Sequence, residues 1–194
     1  MLRPLKTKLL GVSLIEMLVV IALIGILSKM ATSAYANLVF RMRIFSATSE
    51  LHAGLLYARS ESLKHGGNVI ICRSVNAHAP RPACDLGKSD SKSNSGWGDG
   101  WLVFYDQNID GQLSEADTIL QVQGKLFSTP EQGAIIPSPN RKQIKFNSLG
   151  QVYGTFMQFS IGMPQTAHDV DHNRYICIAA GGRARVDKKL CNAK

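Results

Sequence analysis

Near the C-terminus, the run Gly181-Gly182-Arg183-Ala184-Arg185-Val186-Asp187-Lys188-Lys189 sets two guanidinium groups two residues apart. In an extended segment alternate side chains project from one face, so Arg183 and Arg185 point the same way. Planar, permanently charged guanidinium groups suit phosphate oxygens. Lys188, Lys189 and Arg174 add positive charge to the same region, and Gly182 lets the backbone approach a partner closely. What these residues offer is the capture of an anion. A charge cluster near a terminus is also commonly a solvated face, so the pattern alone leaves both readings open.

Other groups offer different chemistry. Glu16 is an acid inside the apolar run Val12-Ser13-Leu14-Ile15-Glu16-Met17-Leu18-Val19-Val20-Ile21-Ala22-Leu23-Ile24-Gly25-Ile26-Leu27, where a charge is costly and marks a functional position. The segment from Asp106 to Asp117 follows calcium-loop spacing, with Asp106, Asn108, Asp110 and Asp117 as candidate ligands and Gly111 at the sixth place. Its last acid is Asp rather than Glu and a strand precedes it, so the competing reading is a turn whose side chains satisfy its own backbone. His168 and His172 stand four apart in a polar stretch without helix signals, a poor metal site. The four cysteines, Cys72, Cys84, Cys177 and Cys191, lack the close pairs of a structural zinc site. They allow three pairings, of which the local ones, Cys72 with Cys84 and Cys177 with Cys191, are expected. The first closes the base of a long polar loop and the second pins the C-terminal segment to the last strand. No serine elbow, phosphate loop or cysteine–histidine pattern supports an enzyme, and no cofactor is implied.

These residues need elements to position them. From Leu9 to Leu27 the chain is apolar enough to span a bilayer core with slight tilt. The helix is expected to continue to about Lys64, with Leu38, Met42, Phe45, Leu51, Leu55 and Ala58 as an apolar stripe and Gly66-Gly67 as its end. Strands are expected at 68–73, 101–105, 119–122, 143–146, 152–161 and 175–179, separated by Gly, Asn and Pro, in antiparallel order. Residues 74–96 form a long loop, with only its length to suggest adhesion.

The basic start of Arg3, Lys6 and Lys8 hands over to the apolar run at Gly11, before the core rather than after it. A secretory signal has its small-residue cleavage site on the other side. Gly11-Val12-Ser13-Leu14-Ile15-Glu16 resembles the prepilin-peptidase site of type IV pilins and type II secretion pseudopilins, with Val12 and Ser13 replacing the commoner Phe and Thr. The resemblance implies cleavage after Gly11, methylation at Val12, and pairing of Glu16 with the amino terminus of a neighbouring subunit. Three internal motifs resemble the GspH/FimT branch: Leu55-Leu56-Tyr57-Ala58-Arg59-Ser60-Glu61, Trp97-Gly98-Asp99-Gly100-Trp101-Leu102-Val103-Phe104 and Phe146-Asn147-Ser148-Leu149-Gly150. The tryptophan motif also reads simply as two aromatics anchoring a strand in the core.

The family implies an α+β pilin fold in which a long N-terminal helix, membrane-spanning in its first half, packs on antiparallel sheet. The divisions are a leader at 1–11, a helix at 12–65 with 12–30 in the membrane or filament core, and a periplasmic β-rich domain at 66–194. Placement is then single-pass in the inner membrane and later in a pilus at the cell surface, with prepilin peptidase and other pilins as partners. Periplasmic location is where disulfides persist. The leader holds three of the cations behind the formal net charge of +8, so the mature chain carries +5. Gly182-Arg183-Ala184-Arg185 resembles the DNA-binding motif of FimT-type minor pilins, which implies double-stranded DNA as the polyanion and uptake in natural transformation as the setting. Phosphate contacts carry no base information, so such binding is sequence-independent, on the order of micromolar, and sensitive to salt. The alternative is a structural subunit of a pilus tip or secretion pseudopilus that meets only other pilins.

Overall fold

A computed structural model describes residues 12–85, 95–154, 156–163 and 173–191. The chain forms two compact units, Met1–Val39 and Phe40–Lys194. Helix α1 runs from Leu14 to His65. It starts on Ser13, whose hydroxyl accepts the Glu16 backbone N–H at 3.2 Å, placing Glu16 at the third helical position. A serine cap followed by an acid three residues on is a helix-start signature, and an acid in the first turn complements the helix dipole. Glu16 therefore has a local structural role at the start of α1. Gly11 lies outside the described residues.

In the first unit the apolar side chains from Val12 to Leu27 are exposed. No helix among the described residues is long and apolar enough to cross a membrane. The stretch of α1 from Leu14 to Leu27, apolar but for Glu16 and Gly25, rises only about 21 Å against a hydrocarbon core of about 30 Å. The longer span expected from the sequence counts residues from Leu9, outside the described part.

In the second unit α1 buries Ile44, Ala47, Thr48, Leu51, Leu55, Ala58 and Ser62. The expected stripe is correct for its last three members only. Met42 and Phe45 are 61% and 65% exposed, because they lie on a flank of the helix turned away from the core, and Leu38, in the first unit, is 56% exposed. Gly66, at φ 76°, ends α1, and the Gly67 N–H reaches back to the Ser62 carbonyl at 2.7 Å. This is the left-handed glycine stop.

Among the described residues eight strands follow: β1 Val69–Arg73, β2 Trp101–Tyr105, β3 Thr118–Gln123, β4 Ala134–Ser138, β5 Gln143–Phe146, β6 Met157–Gly162, β7 Arg174–Ile178 and β8 Ala184–Asp187. They make two four-stranded antiparallel sheets, in the orders β3-β2-β1-β5 and β4-β6-β7-β8. One core unites the buried face of α1 with Val69, Ile71, Trp101, Val103 and Phe146 of the first sheet and Ile135, Phe159, Ile161 and Ile176 of the second. The other face of the first sheet has its own cluster, Ile70, Cys72, Leu102 and Phe104 with Ala77. That explains why β1 is buried at all five positions. Val152 forms only an isolated bridge to Phe146, so the strand expected from 152 begins at Met157.

The tryptophan motif is a core anchor. Trp97 and Trp101 are fully buried, Trp97 packs edge-on to Phe159 at 5.1 Å, and its indole N–H donates to the Arg141 carbonyl at 3.0 Å. Both expected disulfides are present, Cys72–Cys84 and Cys177–Cys191, with Cα separations of 5.6 and 5.7 Å.

Candidate nucleic-acid interface

The arginine pair sits on the β7–β8 hairpin. The Gly182 N–H donates to the Ala179 carbonyl at 2.8 Å and the Ala179 N–H to the Arg183 carbonyl at 3.3 Å. β8 is the edge of its sheet, with Ala184 opposite Ile178 and Arg185 opposite Cys177. Ala184 faces the core, so strand alternation turns Arg185, and Arg183 before it, outward. Both arginines are exposed, as are Lys188 and Lys189, and none of the four side chains has an ion-pair partner among the described residues. The Asp187 carboxylate accepts the backbone N–H groups of Lys188 and Lys189 at 2.8 and 3.2 Å, which bends the chain sharply after β8. The Cys177–Cys191 bridge then fastens this basic turn to the outer side of β7, and the Cys191 N–H donates to Gln158 Oε1 at 3.1 Å.

Gly182 serves the molecule itself rather than a partner. It adopts φ 73°, and a Cβ there would run into the Gly150 carbonyl oxygen and the Cα of Gln151. The close approach foreseen for it is therefore to the turn at 147–150. Asn147 holds that turn: its Oδ1 accepts the N–H groups of Leu149 and Gln151, both at 2.9 Å, and its amide N–H donates to Gln151 Oε1 at 3.1 Å. The Val152 N–H ties the same segment to Ala180 at 3.0 Å. The Phe146–Gly150 motif thus braces the arginine hairpin, a role that its asparagine and glycine signalled only as a turn.

Arg174 is not brought to the pair. It stands at the start of β7 opposite Ile161, on the face opposite to Arg185, and its guanidinium donates to the Asn173 carbonyl at 2.8 Å.

The candidate calcium ligands are engaged in the turn itself. Asp106 is buried, accepts the Gly111 N–H at 2.9 Å and pairs with the Lys145 ammonium at 3.3 Å. Asn108 and Asp110 bond each other and the turn backbone, and Asp117 accepts from Gln107 and Ser114. Burial acts to raise the Asp117 pKa, but bonds from Ser114, Gln107 and Asn108 outweigh it and hold the carboxyl below its ordinary value. No group of three or more His, Cys, Asp or Glu side chains among the described residues is placed to hold a metal ion. His168 and His172 lie outside those residues.

With this geometry in view, residues 47–182 match the family described as Type II transport protein GspH, more than half of the chain. The protein belongs to the GspH family. Two crystal structures of the type IV minor pilin FimU of Pseudomonas aeruginosa are similar to this GspH-family chain. One has a TM-score of 0.53 at 19% identity, covering 76% of this chain and 90% of that one. The other, a second crystal form, has a TM-score of 0.48 at 19% identity, covering 73% and 90%. The first likeness establishes a pilin fold. No curated protein matches the chain. Membership of the GspH family implies association with other pilins in a pilus or pseudopilus. The family match ends at Gly182, one residue before the arginines.

Proposed function

We propose that this GspH-family protein is a minor type IV pilin that binds double-stranded DNA without sequence preference, for uptake in natural transformation. The observation that carries the reading is the pair of exposed, unpaired arginines, Arg183 and Arg185, on a hairpin braced by the 147–150 turn and the Cys177–Cys191 bridge. Lys188 and Lys189 extend the cationic surface. Preformed, unpaired guanidinium groups bind phosphate at little ordering cost. In this reading prepilin peptidase cuts after Gly11, Val12 is methylated, the N-terminal helix resides in the inner membrane before assembly, and Glu16 pairs with a neighbouring subunit.

The end of the family match at Gly182 favours a second reading, a structural pilin or pseudopilin in which the basic hairpin has no DNA role. Titration of the full chain in non-ionic detergent against a labelled random-sequence duplex, at low and physiological salt, separates the two. Salt-sensitive binding that Arg183→Gln/Arg185→Gln abolishes, with the fold intact, is the expected result. Absence of wild-type binding at low salt leaves the structural reading.

A further inference from the structure

We infer that Arg59, on α1, is a third phosphate-binding arginine of the surface that carries Arg183 and Arg185, an inference that rests on the DNA reading above. The two segments are far apart in sequence but the fold joins them through one glycine. A Cβ at Gly150 would lie 3.1 Å from both Cγ and Nε of Arg59, and the Gly150 carbonyl oxygen packs directly on Gly182, the residue before Arg183. On the other side of Arg183, the His52 imidazole reaches the Ala184 carbonyl at 3.3 Å. His52 and Arg59 are two helical turns apart on one flank of α1. Arg183 is therefore fixed between two points of contact with the flank on which Arg59 stands.

The surroundings of Arg59 fit a guanidinium that meets an external oxyanion. The side chain is half-buried, and its Nε is buried without a hydrogen-bond partner. The positions three and four residues away along the helix are Leu55, Leu56, Ser62 and Leu63, none of them acidic. Glu61 is paired with Lys64 and His65, and Asp187 bonds the backbone of its own turn. A guanidinium cannot shed its proton to relieve burial, so an unpaired one is a standing cost that an external oxyanion offsets. The Leu55–Glu61 motif then supplies DNA-binding chemistry from the helix, and the Phe146–Gly150 turn is the spacer that holds the helix arginine beside the hairpin arginines.

The test is the salt dependence of duplex binding by the full chain in non-ionic detergent, for wild type, Arg59→Gln, Arg59→Lys and Arg183→Gln/Arg185→Gln. Each phosphate contact contributes about one unit to the slope of log affinity against log salt. Arg59→Gln should weaken binding about three- to tenfold at low salt and lower the slope by about one. Arg59→Lys should keep the slope, because an ammonium still displaces a counterion, whereas a purely packing role predicts no slope change in either. An unchanged slope and affinity in Arg59→Gln, with binding still lost in the hairpin double variant, overturns this inference and leaves the DNA reading standing. No binding by wild type overturns both. Should Arg59→Gln fail to fold by circular dichroism, phenylglyoxal labelling of wild type decides: duplex should protect Arg59 together with Arg183, and an unprotected Arg59 beside a protected Arg183 overturns the inference.

Discussion

Arg73 is held by three side-chain bonds of 2.7 Å each: Nε donates to the Gly96 carbonyl, and the two terminal nitrogens pair with Asp85 and Asp99. Arg73 and Asp99 are both about 95% buried, so neither charge has water to fall back on. Removing one partner of a buried pair leaves the other uncompensated and costs about 3–5 kcal/mol. Arg73→Met should therefore lower the urea midpoint by a large margin, read from Trp97 and Trp101 fluorescence, and adding Asp99→Asn should recover part of the loss. An Arg73→Met midpoint equal to wild type would refute the idea that this pair ties the tryptophan motif to the first sheet. Gly182→Ala is the matching test at the hairpin. It must force both a left-handed backbone and the Gly150 carbonyl, so a loss of about 2 kcal/mol or more is expected, from the strain and the lost packing together. The sequence displayed Gly182 plainly but not its partner, since the residue it touches is thirty-two positions away. Arg73 gave no signal at all, because its acids lie 12 and 26 residues downstream.

At the scale of elements, what was legible followed local pattern. α1 ended within a residue of its expected stop because two glycines announce it, and β1, β2 and β5 fell where β-branched and aromatic residues cluster. β4 was missed because Pro137 and Pro139 read as breakers. Pro137 is tolerated because β4 is an edge strand, where a missing donor leaves only one neighbour to satisfy. The loop between β2 and β3 shows a different limit: spacing alone could not tell ligands from turn-forming side chains, and the Lys145 ammonium that meets Asp106 is far away in sequence. This loop should respond to acid. A carboxyl whose folded pKa is depressed contributes stability that is complete above its unfolded value, about 4, and is lost as pH falls through the folded value. Amide exchange at Gln107 and Ser114 should accelerate below about pH 4 in wild type. Asp117→Asn should exchange faster at neutral pH and show no such acid step; an identical acid step in the variant would assign it to another group. The C-terminal turn depends on its bridge. Cys177→Ser/Cys191→Ser reopens a loop closed over 14 residues, worth about 3 kcal/mol in the chain-entropy account. Proteolysis at Lys188 and Lys189 should then become fast while the core melts cooperatively, and equal cleavage rates with and without the bridge would mean that it does not fasten the turn.

For the whole molecule, the proposed DNA reading and the placement of charge together set the kind of binding to expect. Residues 12–194 carry +5, and among the described residues the four exposed cations of the hairpin stand together on one short braced segment. Among the described residues α1 is the only α-helix, and the part of it in the second unit lies on the two sheets, so no recognition helix is offered to a major groove. A-T-rich and G-C-rich duplexes should therefore bind equally within a factor of about three. Four phosphate contacts from the hairpin alone give a salt slope near −3.6, a loss of about a hundredfold between 50 and 200 mM salt. A single chain of micromolar affinity at low salt then holds almost nothing at physiological ionic strength. Function in that case requires many copies on one duplex, where each later contact is intramolecular and apparent affinity rises by about 10²–10⁴. Chains immobilised at low and high surface density on a sensor separate these regimes. Duplex should dissociate at once from the sparse surface at physiological salt and be retained on the dense one, with retention lost when Arg183 and Arg185 are replaced. Equal, fast dissociation from both surfaces would mean that neighbouring sites cannot engage one duplex together, and the hairpin would then lack the only route by which so few contacts can hold DNA at the salt of a living environment.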